Sequence, residues 1–324
     1  MDSRPNWEET KMKKCLFAAG FAALMSTTAM AEGIGVTMAA FDDNFLTVLR
    51  NGIQSQADAA GLSVQIEDAQ NDVAKQLDQI NNFIASGVDA IIVNPVDTSA
   101  TQAMSDAAAA AGVPLVYVNR QPINVDTLPD GQAFVASNEV DSSSQGFIEQ
   151  CNQWAAAGKT EVSVYVMQGE LSNQAAVQRT QNYYDVMDAG KCAVKVNIID
   201  QQTANWSRDQ ATSLMTNWLS TGAPFDGVLA NNDEMALGAI QAIKAAGIGM
   251  DAVIVSGVDA TQDALASMQA GELDITVFQN AAAQGGGALD AAVKLAAGEA
   301  VEKKVYIPFE LVTPANIDGY LAKN

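Results

Sequence analysis

From residue 33 onward, short apolar runs alternate with longer stretches whose apolar positions recur every third or fourth residue. Ile34–Met38, Ser63–Ile66, Ala90–Val93, Leu115–Val118 and Phe134–Ala136 are brief, rich in β-branched residues and bounded by Gly, Pro, Asn or Asp, the signature of strands. Between them Phe45, Leu49, Ile53 and Ala57 fall at helical spacing, as do Val73, Leu77, Ile80 and Ile84, and the Ala-rich stretch 98–111 is a strong helix former. The pattern then restarts. Val162–Val166, Lys195–Ile199, Val228–Ala230, Val253–Val255 and Ile275–Phe278 are the next expected strands, with helical patterns at 174–189, 208–220, 233–246 and 260–270. Two further helical stretches, 142–157 and 284–297, are expected to cross between the halves. Strand–helix alternation predicts an α/β fold with parallel sheets flanked by helices. The halves nearly rhyme: Gly87-Val88-Asp89-Ala90-Ile91-Ile92-Val93-Asn94 resembles Phe225-Asp226-Gly227-Val228-Leu229-Ala230-Asn231-Asn232. Two similar lobes, joined by several crossings of a hinge, fit this better than one long sheet, and no short period supports a solenoid.

The region before residue 33 follows different rules. Met12-Lys13-Lys14 is a basic start, Cys15–Met25 an apolar run, and Ala29-Met30-Ala31 a small-residue cleavage pattern; together they describe a secretory signal peptide. The run is too short to span a bilayer, which needs about 20 apolar residues. Residues 1–31 are therefore set aside as leader and signal peptide, with Met12 the expected true start. They carry four basic and three acidic side chains, so their removal takes the formal charge from −21 to −22. That charge repels nucleic-acid phosphates and anionic lipid, and no nucleic-acid partner is expected. The sequence contains no histidine, which removes Ser-His-Asp and Cys-His catalysis and most zinc sites. Cys151 and Cys192 remain once the leader is gone; in an oxidising compartment a disulfide and two separate buried thiols are both open to them.

Candidate chemistry collects where the strands end. The runs terminate in Asp42-Asp43, Asn94, Asn119-Arg120, Gly169-Glu170, Asn231-Asn232-Asp233, Asp259 and Gln279-Asn280. Ligands of open parallel sheets bind beyond the carboxyl ends of the strands. Any one of these residues also suits a turn or a helix N-cap, but the set from both halves points to a shared polar cleft. Asp, Asn and Arg in alternation satisfy hydroxyl groups as donors and acceptors. Flat apolar C–H faces call for aromatic rings, and two candidates stand out. Phe45 lies just past the first strand, equally placed for the helix core. Trp206 sits in the polar stretch Asn205-Trp206-Ser207-Arg208-Asp209, where a ligand wall fits better. Arg179, on a helix in a chain poor in basic residues, suits either the cleft or a surface ion pair. Trp218 and Phe225 look like ordinary core.

Catalytic patterns are weak. Adjacent carboxylates such as Asp42 and Asp43 point in different directions, Gly33 and Gly35 precede a strand, and Gly285-Gly286-Gly287 lacks the Lys-Ser/Thr of a phosphate loop. No calcium-loop pattern appears. The chain is not expected to be an enzyme, and no cofactor and no metal are expected.

At these residues the sequence resembles the periplasmic ribose/galactose-type binding proteins of ABC importers over residues 33–316. The resemblance is carried by Ile34-Gly35-Val36-Thr37 with Phe41-Asp42-Asp43-Asn44-Phe45, by Val118-Asn119-Arg120 and Arg179-Thr180, and by Ala230-Asn231-Asn232-Asp233-Glu234-Met235-Ala236 and Gly257-Val258-Asp259-Ala260. It implies two Rossmann-like lobes joined by a three-crossover hinge, with residues 33–137 plus 280–309 forming the N-terminal lobe and 138–279 plus 310–324 the C-terminal lobe. It implies ligand contacts at Asp43, Phe45, Asn119, Arg120, Arg179, Trp206, Asn232, Asp259 and Gln279. Galactose binders carry a His and an Asp where Asn173 and Ala175 stand here, and their calcium loop is absent; ribose binders carry a second aromatic where Leu46 stands. Gly169–Ala176, Gln202–Arg208 and Tyr306-Ile307-Pro308-Phe309 look like the inositol- and rhizopine-binding subgroup. The resemblance thus implies a monomeric periplasmic protein that captures a small polyhydroxylated ligand, myo-inositol or a relative, and delivers it by hinge closure to a membrane permease. A chemoreceptor is a further compatible partner. The alternatives are an aldose binder of galactose or ribose type and a secreted sugar-acting enzyme. A lactose-repressor-type regulator would need a basic DNA-binding headpiece, which this acidic chain lacks.

Overall fold

The computed structural model describes Met1 and residues 33–323; the expected leader and the start at Met12 lie outside the described residues. The first half winds as β1 (Ile34–Met38), α1 (Asn44–Ala60), β2 (Val64–Asp68), α2 (Val73–Ser86), β3 (Ala90–Val93), α3 (Thr101–Ala111), β4 (Leu115–Val118) and β5 (Gln132–Ala136). The second continues as α4 (Ser142–Ala156), β6 (Glu161–Gln168), α5 (Gln174–Asp188), β7 (Lys195–Thr203), α6 (Arg208–Leu219), β8 (Gly227–Ala230), α7 (Asp233–Ala245), β9 (Ile254–Ser256), α8 (Gln262–Gln269) and β10 (Thr276–Phe278). The chain closes with α9 (Ala281–Ala296), β11 (Lys304–Tyr306) and β12 (Glu310–Val312).

Two sheets result. The first has the order β11-β5-β4-β3-β1-β2, parallel throughout. The second runs β7-β6-β8-β9, also parallel, and bridges at Ser256–Ile275 and Asp259–Phe278 extend it towards β10, which pairs antiparallel with β12. The chain therefore passes between the sheets three times: after β5, after β10 and after β11. Each half is an α/β lobe, as the strand–helix pattern predicts.

Period-two alternation explains why both faces of the first sheet are covered. Ile92, Val116 and Val118 pack with Leu49 and Ile53 of α1 and Leu289 of α9, while Ile91, Val93, Leu115 and Tyr117 pack with Ile80 and Phe83 of α2 and Met104 of α3. Gly35 admits this arrangement, because a Cβ there would lie 2.5 Å from the Phe83 ring. In the second sheet Tyr165, Met167, Val228 and Val255 meet α6, α7 and α8, while Val164, Val166 and Leu229 meet Phe147, Trp154 and Tyr183 of α4 and α5. Trp218 stacks on Tyr165 at 4.5 Å, the core role expected of it. Cys151 of α4 and Cys192 form a disulfide, resolving the alternative left open by the sequence.

Two expectations need correction. The stretches read as crossing helices do not span the halves: α4 packs with α5, β9 and β10, and α9 with α1 and β3–β5, so each follows a crossing made by extended chain. Strands β11 and β12 were not foreseen. Each has three residues, and only Val312 among them is fully buried, too little for an alternating pattern to register.

Candidate functional site

The carboxyl ends of both sheets face a common cavity. All nine residues singled out above line it: Asp43, Phe45, Asn119, Arg120, Arg179, Trp206, Asn232, Asp259 and Gln279. Leu46, Asn173 and Ala175 complete the wall. Phe45 serves both of its alternatives, since it lines the cavity and packs in the core with Leu49.

Three of these residues begin helices. Asp43 caps α1 by accepting from the Leu46 N–H at 2.8 Å, Asn173 caps α5 through the Ala175 N–H at 3.1 Å, and Asn232 caps α7 through the Met235 N–H at 3.0 Å. Capping uses one oxygen of each, leaving the second Asp43 oxygen and the Nδ2 groups of both asparagines unengaged by the helix. Burial raises the Asp43 pKa, against the lowering influence of the Leu46 N–H and of Arg120.

Three other wall residues hold left-handed backbone: Asn119 at φ +64°, Trp206 at +63° and Asp259 at +126°. Such angles are rare outside glycine, most of all for a bulky side chain, and cluster at functional sites. Asn119 turns the chain sharply after β4, with the Arg120 N–H donating to the Val118 carbonyl at 2.7 Å. Asn205 and Trp206 occupy the centre of a turn closed by the Ser207 N–H on the Ala204 carbonyl at 2.9 Å. The Trp206 indole lies flat against Gly169, where a Cβ would sit 2.1 Å from the ring. Its buried Nε1 has no hydrogen-bond partner among the described residues.

Arg179 is 4% exposed and organises the inner wall. Its Nε and Nη2 donate to the two Glu139 carboxylate oxygens at 2.7 and 2.9 Å, Nη1 donates to the Asn231 carbonyl at 2.9 Å, and Nη2 reaches Gln279 Oε1 at 3.2 Å. Asp259 lies 3.8 Å from Nη1, and the Trp206 ring centroid 5.6 Å from the guanidinium. Arg179 thus makes an ion pair, but a buried one inside the cleft rather than at the surface. Burial alone would lower its pKa; the charge and hydrogen bonds of Glu139 outweigh that and raise it. Burial drives the Asp259 pKa well above the carboxylate range; Arg179 opposes this, while Asp233, Asp43 and Glu139 reinforce it. Arg120 donates to the Pro95 and Val96 carbonyls at 3.2 Å each and pairs with Glu170 at 3.3 Å.

Some polar strand ends do other work. Asn94 ties neighbouring strand ends, accepting from the Ala39 N–H and donating to the Val118 carbonyl. Its counterpart Asn231 accepts from the Gly169 N–H and the Thr180 hydroxyl. Asn280 caps α9. Sequence reasoning missed Glu139, the Arg179 counter-ion, whose only signal is its place just beyond β5. It also missed the bonds across the cleft. Asn44 donates to Glu234 at 2.8 Å, and Thr98 donates its N–H and its hydroxyl to the Ser172 carbonyl, both at 3.0 Å. The Thr98 hydroxyl also accepts from the Gln174 N–H at 3.1 Å.

Residues 34–300 match the family described as periplasmic binding protein domain. The chain is 59% identical over 314 residues to the "Putative rhizopine-binding protein" of Rhizobium meliloti, covering 97% of this chain and 100% of that one. It is 32% identical over 282 residues to a ribose import binding protein of Bacillus subtilis, covering 86% and 87%. Among solved structures, an ABC transporter solute binding protein from Bacillus halodurans with bound myo-inositol superposes with a TM-score of 0.82 at 39% identity, covering 90% of this chain and 97% of that one.

Proposed function

Because this chain belongs to the periplasmic binding protein family, we propose that it captures a cyclitol, myo-inositol or a close relative, and presents it to the membrane permease of an ABC importer. The family is one of solute-binding proteins rather than enzymes, and it is periplasmic. A leader at residues 1–31 accords with that location. The observation that carries the ligand class is the lining of the cavity: polar groups from the strand ends of both sheets, with Arg179 of α5, surround it together with two aromatic rings. Carboxylates, amides and guanidinium groups in alternation suit a ring of hydroxyls, and Phe45 and Trp206 suit its C–H faces. The nine residues named above are proposed as the ligand contacts, and the lobes as residues 33–137 with 280–309 and 138–279 with 310–324. The myo-inositol bound to the Bacillus halodurans relative favours the cyclitol; the ribose import relative keeps an aldose as the second reading.

Ligand that touches both lobes stabilises the form in which they meet, so binding and closure are one equilibrium. Arg120–Glu170, Asn44–Glu234 and Thr98–Ser172 join the lobes directly and add to that closed form. Thermal unfolding of the chain against myo-inositol, scyllo-inositol, galactose, ribose and xylose tests the proposal, since a ligand bound only to folded protein raises the midpoint. Large shifts with inositols and little with aldoses are expected. The reverse would replace the cyclitol by an aldose, and no shift across the panel would overturn the ligand class.

A further inference from the structure

Asp233 is fully buried at the first residue of α7, directly after the cavity residue Asn232. Its partners are neutral: Thr276 donates its hydroxyl to Oδ1 at 2.7 Å, and the Thr261 N–H donates to Oδ2 at 2.9 Å. A buried carboxylate without a cation partner is costly unless something holds it there, and the local backbone shows what. The segment Gly257-Val258-Asp259-Ala260-Thr261 wraps around this carboxylate. The Asp233 N–H donates to the Val258 carbonyl at 2.9 Å, and the Ala260 N–H donates at 3.2 Å to the Thr276 hydroxyl that itself donates to Asp233. Gly257 leaves room for the arrangement, because a Cβ there would lie 2.3 Å from Asp233 Oδ1. Inside the wrap Asp259 and Ala260 are both left-handed, at φ +126° and +52°. Strain of this kind persists only where the surroundings over-determine it.

We propose that Asp233 is a positioning residue: its carboxylate pins the strained 257–261 turn and thereby fixes where Asp259 stands in the cavity, facing Arg179. The consequence for ligand recognition rests on the cyclitol-binding reading above; the consequence for the turn does not. The α7 amino terminus favours a negative charge at this place, so one carboxylate stabilises the helix start, the turn and, through the turn, the acidic wall of the site.

The test uses Asp233→Asn, with Thr276→Val as a second variant that removes one donor while keeping the carboxylate. An amide at 233 can accept only one of the two hydrogen bonds and turns a donor towards the other. Crystal structures of wild type and variants report the turn without reference to any ligand: Asp259 is expected to leave its left-handed conformation and to move away from Arg179. Calorimetry with myo-inositol reports its effect on recognition. Asp233→Asn is expected to weaken binding about tenfold, the loss of one buried charge-assisted hydrogen bond, and to weaken it no further in an Asp259→Asn background. A structural role without positioning would cost the same on both backgrounds. An unmoved turn, or additive losses, overturns the inference. Failure of the wild-type protein to bind any cyclitol or sugar overturns the functional proposal instead, and the crystal structures still decide the role of Asp233.

Discussion

Replacing Gly169 by alanine tests whether Trp206 is the wall it resembles. The added Cβ would stand 2.1–2.2 Å from three atoms of the six-membered side of the indole. Carbon atoms rest about 3.5–4.0 Å apart, so the ring must withdraw by more than about 1 Å. It cannot do so freely, because Trp206 is held at φ +63° in a turn closed through Ala204 and Ser207. Overpacking of this kind costs about 1–3 kcal/mol. If the ring forms one face of the ligand site, the same displacement lowers affinity for myo-inositol by about 5- to 150-fold. The unfolding midpoint should fall by about 2–12 °C, given a few degrees per kcal/mol for a chain of this size. Calorimetry and thermal melts measure the two losses, and the double variant Gly169→Ala/Trp206→Leu separates them: with the indole gone, Gly169→Ala should cost little stability while affinity stays low. Wild-type affinity in Gly169→Ala would refute the idea that this glycine sets the ring and that the ring sets the site.

Three further outcomes are expected. Burial pushes both Asp233 and Asp274 up to about 6 from 3.8, so native protein binds more protons than unfolded protein between those values. The stability from protonating them is complete below 3.8 and disappears as pH rises through about 6; protonation of Asp233 alone is worth about 3 kcal/mol. Denaturant unfolding should show higher stability at pH 5 than at pH 8, and a flat or inverted profile would contradict the burial argument. The Cys151–Cys192 disulfide closes a separation of 41 residues, which chain entropy values at about 4 kcal/mol. Cys151→Ser/Cys192→Ser should therefore unfold at a lower temperature with unchanged ligand affinity, and a changed affinity would tie the bridge to the cleft. Thr98→Val removes the hydroxyl that meets Ser172 and Gln174 across the cleft; about 1–2 kcal/mol should be lost from the closed form, seen as faster ligand release in stopped-flow. Unchanged release would mean that these bonds survive opening.

The sheet cores are legible in the sequence because burial on both faces imposes unbroken apolar runs, as in Ala90–Val93 and Leu115–Val118, and no partner outside the lobe is needed to explain them. The cavity residues are legible for a different reason: a parallel sheet collects its ligand contacts at one end of every strand, so polar strand ends nominate themselves. The same rule over-selects. Asn94 and Asn231 follow their strands directly, as Asn119 does and Asn232 nearly does, yet their amides bind neighbouring strands. One residue letter does not record which way its side chain turns. Pairings distant in sequence are hidden for the opposite reason. Glu139 meets Arg179 across 40 residues and Gly169 meets Trp206 from beyond α5 and β7, and neither leaves a periodic trace.

The use of helix caps as cavity wall separates two tasks that proteins often entangle. Asp43, Asn173 and Asn232 each commit one oxygen to a helix and offer the remaining atoms to whatever fills the cleft. Asparagine and aspartate cap helices about equally well, so exchanging one for the other at any of these positions swaps a cavity-facing donor for an acceptor while the helix start stays intact. Selectivity can then change one atom at a time along a path of folded intermediates, and a lineage built this way can move between polyols of different stereochemistry without rebuilding its scaffold.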